Sequence, residues 1–91
     1  KWLLTQNKLL NMKVEILTMD SVLLSTEAKS VIVPGKSGRF EMLENHAPII
    51  SILGNGNIKV TDYNNEEKLI EISGGSVEMS NNKITILAKA S

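Results

Sequence analysis

The chain contains no cysteine, which excludes disulfide staples, thiolate metal sites and thiol nucleophiles, and is compatible with a reducing compartment. Aromatic residues are nearly as scarce, with one Trp, one Tyr and one Phe. The core must therefore be filled by Ile, Leu, Val and Met, whose shape complementarity replaces aromatic bulk. No apolar run approaches the roughly 18–20 residues that a membrane-spanning helix needs. Neither sign of charge dominates: ten Lys and Arg balance ten Asp and Glu. No net field draws the chain to nucleic acid or to an anionic membrane, so partner recognition has to be local.

Ninety-one residues make one small domain, whose single core buries roughly 60–65% of the surface its unfolded chain would expose. Residues 1–11 read as an upstream extension, because Met12-Lys13 looks like a natural beginning and the stretch is too short and polar for a signal peptide. Leu3 and Leu10 lie seven apart, which allows a brief amphipathic helix, marginal in isolation. Residues 12–91 are the domain.

From Met12 onward, apolar residues recur at every second position, the spacing of strands. Met12, Val14 and Ile16 alternate with Lys13 and Glu15. Ile58 and Val60 flank Lys59, Ile70 and Ile72 flank Glu71, Val77 and Met79 flank Glu78, and Ile84 and Ile86 flank Thr85. Each run places apolar side chains on one face and polar ones on the other, as half-buried antiparallel strands require. Between them, Pro34-Gly35, Gly54-Asn55-Gly56, Asn64-Asn65, Gly74-Gly75 and Asn81-Asn82 read as turns. Short strands at this spacing, with no helical pattern between them, predict two packed sheets or a flattened barrel.

Candidate reactive groups are few. His46, the only histidine, lacks the companions of a nucleophilic triad. Ser37, Ser51, Asp20 and Glu44 are present, but no G-x-S-x-G elbow is. One histidine without convergent carboxylates at ligand spacing does not make a metal site. The stretch Ser73-Gly74-Gly75-Ser76 could aim backbone amides at an anion, but it lacks the Gly-Lys-Ser/Thr and following helix of a phosphate loop. It reads instead as a turn or bulge where a close backbone approach forbids a Cβ, a functional version being an approach by a partner chain. Glu66 and Glu67 point to opposite sides of a strand or turn and read as a solvated hairpin end, not a catalytic pair. No cofactor and no metal are expected.

Taken in order, "VPGKSGRFEML", "HAPII", "ISGGSVEM" and "NKITILA" resemble the N-terminal β-domain of the epsilon subunit of the F-type ATP synthase. That resemblance implies an all-β fold, a flattened two-sheet antiparallel sandwich of about ten short strands. It also implies a non-catalytic part of a rotary motor, set in the central stalk between the gamma subunit and the ring of c subunits, helping to couple ion transport to ATP synthesis. The complex would hold it peripherally on the cytoplasmic face of a bacterial inner membrane, without insertion. On matching positions, Gly35, Lys36, Ser37, Gly38 and Arg39 would meet the c-ring. Thr18, His46, Ala47, Pro48, Ser73, Gly74 and Gly75 would face gamma.

The sequence departs from the family pattern at several places. Met19-Asp20 stands where a proline is common, Glu41 where a glycine is usual, Glu44-Asn45 where Pro-Gly is common, and Ser76 where a large apolar residue is frequent. Arg39 stands where many relatives carry an acid, which reverses the expected charge of the ring contact. Asn45 tolerates a left-handed conformation, so its turn is expected to survive. The family usually continues into a C-terminal helical hairpin, which is not expected within a sequence ending at Lys89-Ala90-Ser91. Judged without the resemblance, the competing reading is a small β-sandwich module that binds a peptide or carbohydrate. Such a module normally shows aromatic platforms or an acidic cation site.

Overall fold

A computed structural model of the protein describes residues 11–90, so the brief N-terminal helix that the Leu3–Leu10 spacing allows, and Trp2, lie outside the described residues. Eight strands and no helix make up the described chain. They are β1 (Met12–Leu17), β2 (Val22–Ala28), β3 (Ser30–Gly35), β4 (Gly38–Leu43), β5 (Ile49–Leu53), β6 (Gly56–Thr61), β7 (Glu67–Ser80) and β8 (Lys83–Ala90). The alternation read from sequence sets their faces. Met12, Val14 and Ile16, Ile58 and Val60, Val77 and Met79, and Ile84 and Ile86 are all buried, and Ile70 packs half-buried beside the buried Ile72. With Val31, Val33 and Met42 they form one continuous core.

The expected sandwich of short strands is present, with eight strands because β7 is a single 14-residue strand shared by both layers. Its first half, Glu67 to Ile72, pairs with β6, which pairs with β3, which pairs with β4. Its second half, from Gly75, pairs with β5 on one side and β8 on the other, and β8 leads on to β1 and β2. A single bridge, Gly35 to Leu53, ties β3 to β5. All pairings are antiparallel except β1 with β8, which run parallel with Val14 opposite Ile84 and Ile16 opposite Ile86. Period-2 alternation fixes which face a residue takes but not the direction of its neighbour. Parallel neighbours need a long crossover, and here nearly the whole domain supplies it.

The change of partner within β7 falls on Ser73-Gly74-Gly75, where the register against β8 shifts between Ile72 and Gly74. This is a bulge within a continuous strand, so the turn expected at Gly74-Gly75 is corrected to a corner at which β7 passes from one layer to the other. The close approach comes from this chain's own β8: a Cβ on Gly75, whose φ is +151°, would lie 2.3 Å from the Leu87 carbonyl oxygen. Other turns fall where the small and amide residues place them. Asn81 and Asn82 (φ 54° and 59°) close the β7–β8 hairpin as its two central residues, both left-handed as that tight turn requires. Asn45 (φ 64°) turns the chain after β4, as expected. Pro34 and Gly35 belong to β3, and the turn itself is Lys36-Ser37.

Candidate functional site

The segment Gly35, Lys36, Ser37, Gly38 and Arg39 is a hairpin tip and its flanks. Gly35 pairs with Gly38 across the two-residue turn. The tip is fastened to β5, since the Lys36 amide donates to the Ile52 carbonyl (3.0 Å) and the Gly54 amide to the Pro34 carbonyl (2.8 Å). Lys36, Ser37, Gly38 and Arg39 are exposed. Arg39 lies inside β4 and donates through Nη1 to the Asn57 carbonyl of β6 at 2.8 Å. Its guanidinium, with five N–H donors, keeps further donors for a partner. Glu41, which stands where a glycine is usual in the family, sits in regular register opposite Ile32 and accepts a hydrogen bond from Ser30 Oγ at 2.5 Å.

Thr18 and Ser73-Gly74-Gly75 occupy the same end of the molecule as this tip. Leu17 is opposite Leu87, Gly75 is opposite both Ala88 and Leu53, and Leu53 bridges to Gly35. The Thr18 hydroxyl is engaged locally, accepting from the amides of Asp20 (3.3 Å) and Ser21 (3.1 Å). This closes the β1–β2 turn and projects Met19 into solvent, where it is 94% exposed. Met19 then lines a groove of about 430 Å³ with Ile52, Ser73, Gly74, Gly75, Ser76, Leu87 and Lys89.

His46, Ala47 and Pro48 lie apart from these residues, at the other end of β1, roughly 17 Å away at about 3.3 Å per strand residue. The Lys13 amide donates to Asn82 O (2.9 Å), which brings the start of β1 to the Asn81-Asn82 turn. The loop carrying His46 is clamped to that turn: the Asn45 amide donates to Asn82 Oδ1 (2.6 Å), and Asn82 Nδ2 donates to Asn45 Oδ1 (3.1 Å). Tyr63 holds the loop from the other side, its hydroxyl donating to the Glu44 carboxylate and accepting from the Met12 amide at 3.3 Å. The Tyr63 ring is 41% exposed, but its hydroxyl end is turned inward between these groups. That burial, with the Glu44 carboxylate beside it, pushes its pKa up to about 12. The His46 ring is exposed, with Nδ1 2.7 Å from the carbonyl oxygen of Ala47. No group of three His, Asp or Glu side chains among the described residues could hold a metal ion.

Between the two ends runs β5, with Pro48 at its start and the Lys36-Ser37 tip against its finish. Its outward side chains are Ile50 and Ile52, 80% and 58% exposed. On the same sheet face Leu87 is 51% exposed. Sequence alternation passed over these residues, yet a signal was present. In "IISIL" and "ITILA" apolar residues fall on both phases of the period, so a strand that buries one phase must expose the other. Tyr63 gave no such signal, because its role depends on two loops and the start of β1 meeting.

The family model for the ATP synthase delta/epsilon chain, beta-sandwich domain, matches residues 11–91. The chain belongs to this delta/epsilon family of ATP synthase subunits. Among curated delta/epsilon relatives, the ATP synthase epsilon chain of Maridesulfovibrio salexigens is 44% identical over 75 residues, covering 82% of this chain and 52% of that one. The epsilon chain of Chlorobium limicola is 34% identical over 77 residues, covering 85% of this chain and 88% of that one. The chain spans about half the length of several such relatives, including the first of these and the epsilon chain of Alkalilimnicola ehrlichii (54%). The fold is shared with a chain of the Euglena gracilis mitochondrial ATP synthase OSCP/F1/c-ring assembly, at TM-score 0.82 and 16% identity over 87% of this chain and 51% of that one. No helix among the described residues is long and apolar enough to cross a membrane.

Proposed function

We propose that this chain acts as a non-catalytic coupling element in the central stalk of a rotary ATP synthase, joined to the gamma subunit and resting on the ring of c subunits. It would be held peripherally on the cytoplasmic face of the membrane by the complex. The observation that carries the reading, given the family, is the grouping at one end. The ordered, exposed tip Lys36-Ser37, fastened to β5, stands beside Thr18 and Ser73-Gly74-Gly75 and continues into the exposed apolar side chains of β5. A rigid tip backed by hydrogen bonds to the sheet can carry a lateral load that a floppy loop cannot. Because His46, Ala47 and Pro48 sit at the opposite end, a gamma contact that includes them has to run the length of β5.

At the tip, an Arg39 fork with donors to spare suits carboxylates or carbonyls on the ring loops. The test is reconstitution of the enzyme with Arg39→Glu and, separately, His46→Ala, comparing assembly with ion-driven ATP synthesis. Arg39→Glu should loosen the hold on the ring in a salt-sensitive way. His46→Ala should cost the isolated fold about 1 kcal/mol and weaken gamma binding. Wild-type synthesis and assembly across a range of salt in both variants would refute these contacts. Stable retention of a sugar or peptide, with no recovery of gamma or c subunits on co-purification, would favour a binding module instead.

A further inference from the structure

Sulfur occurs in this chain only as methionine, four residues of it with no cysteine beside them. A mild oxidant that would ordinarily be consumed by thiols therefore meets only thioethers. The fold divides the four unequally. Met12, Met42 and Met79 are fully buried in the core, within β1, β4 and β7. Met19, at the β1–β2 turn, is 94% exposed. That exposure is built into the turn. The Thr18 amide donates to the Ser21 carbonyl oxygen at 2.9 Å, and the Thr18 hydroxyl accepts from the amides of Asp20 and Ser21. The turn is closed by its own backbone and one hydroxyl, which leaves the side chain at its apex outside. Leucine would supply similar apolar bulk there, but it has no sulfur to oxidise.

We propose that Met19 is a site of reversible oxidation by hydroperoxides, where the surface changes polarity and the core is left untouched. A lone pair of Met19 Sδ attacks one oxygen of hydrogen peroxide, and the O–O bond breaks. The departing hydroxide takes the proton from the transferred oxygen and leaves as water. Sulfur is oxidised by two electrons to the sulfoxide, and the peroxide is reduced by two. A dithiol reductase reverses the step, its two thiols becoming a disulfide as the sulfoxide oxygen leaves as water. Position decides the consequence, because oxidation turns a flexible apolar side chain into a polar one. At Met12, Met42 or Met79 the new dipole would be buried among aliphatic side chains and would disrupt packing. At Met19 it is solvated, and it replaces one apolar side chain on the rim of the groove that Ile52 and Leu87 also line.

The experiment treats the full 91-residue chain and Met19→Leu with dilute hydrogen peroxide, following each methionine by peptide mapping in a mass spectrometer. Met19 should gain one oxygen at nearly the rate of free methionine. Met12, Met42 and Met79 should react at least about a hundredfold more slowly, since they meet peroxide only in rarely populated opened states. Comparable rates at all four, or a Met19 rate as slow as that of the core, would overturn the proposal. The singly oxidised chain should keep its circular dichroism spectrum and urea midpoint; a lowered midpoint would show that the fold, and not the surface alone, takes the change. On an apolar chromatography resin it should elute earlier than the untreated chain, as should Met19→Gln, while Met19→Leu should elute unchanged after peroxide. An oxidised chain with unshifted elution would refute the change of surface polarity. Methionine sulfoxide reductases for both epimers, applied to the folded oxidised chain, should restore the original mass and elution. A sulfoxide that is reduced only after the chain is unfolded would refute reversibility.

Discussion

Replacing Gly75 by alanine isolates the corner at which β7 changes layers. Two costs add. The backbone at φ +151° lies where a residue with a Cβ is strained by about 1–3 kcal/mol. The new methyl would also stand 2.3 Å from the Leu87 carbonyl oxygen and 3.0 Å from the Ala88 Cα. Relieving those contacts needs a shift of nearly 1 Å in β8, a strand paired on both sides, and overpacking of that kind costs about 1–3 kcal/mol. The sum, about 2–6 kcal/mol, is a large part of the roughly 4–12 kcal/mol that a domain of this size holds. The neighbouring glycine supplies the control. A Cβ on Gly74 meets nothing closer than the Leu53 carbonyl at 3.6 Å, an ordinary contact on unstrained backbone. Gly74→Ala should therefore change stability by less than about 1 kcal/mol, with lower unfolded-chain entropy working in its favour. Urea unfolding followed by circular dichroism, with the slope held equal among variants, separates the two. Thermal midpoints should fall by more than about 10 °C for Gly75→Ala only. Equal losses from both substitutions, or a loss under about 1 kcal/mol for Gly75→Ala, would show that the corner is not held by this close approach.

Asn82→Ala places a Cβ residue with no side-chain amide at φ 59° and removes both bonds to Asn45. It should destabilise by about 2–3 kcal/mol, and Asn82→Gly by less, since glycine restores the backbone freedom; equal losses in denaturant titrations would assign the whole effect to the amide bonds. Tyr63, with its pKa raised from 10 to about 12, favours the protonated form in the folded chain, so its contribution to stability is complete below pH 10 and declines as pH rises from 10 to about 12. Absorbance at the phenolate band should show the chain's tyrosine ionising near pH 12 while folded; ionisation near pH 10 in a still-folded sample would contradict the Glu44 latch.

The faces of the strands were legible because burial has only two options in a pleated strand. Val14, Ile16, Ile58, Val77, Met79 and Ile84 declared their side by their spacing. What spacing could not carry was partnership. Nothing local in "MKVEIL" says that its neighbour is the last strand, or that the two run the same way. Ser73-Gly74-Gly75 carried the information that a Cβ is excluded but not by what, since a turn, a bulge and a partner chain all require the same residue. The candidate residues were picked out through their loop motifs, Pro34-Gly35 and His46-Ala47-Pro48, but the exposed Ile50, Ile52 and Leu87 were passed over. An apolar residue out of phase looks the same on paper whether it faces solvent or a second layer.

The parallel pairing of β1 with β8 makes the order of synthesis matter. Until residues 83–90 have left the ribosome, Val14 and Ile16 have only β2 beside them, and the growing chain holds an open edge where its last strand will dock. Completion must wait for the two most distant strands to meet, the slow, long-range closure that limits β-rich domains. During that wait the vacant edge can pair with any extended strand nearby. A free β8 peptide added in trans to a chain ending at Asn82 should then restore the sheet, and a stalled chain lacking it should seek the same strand from a neighbour.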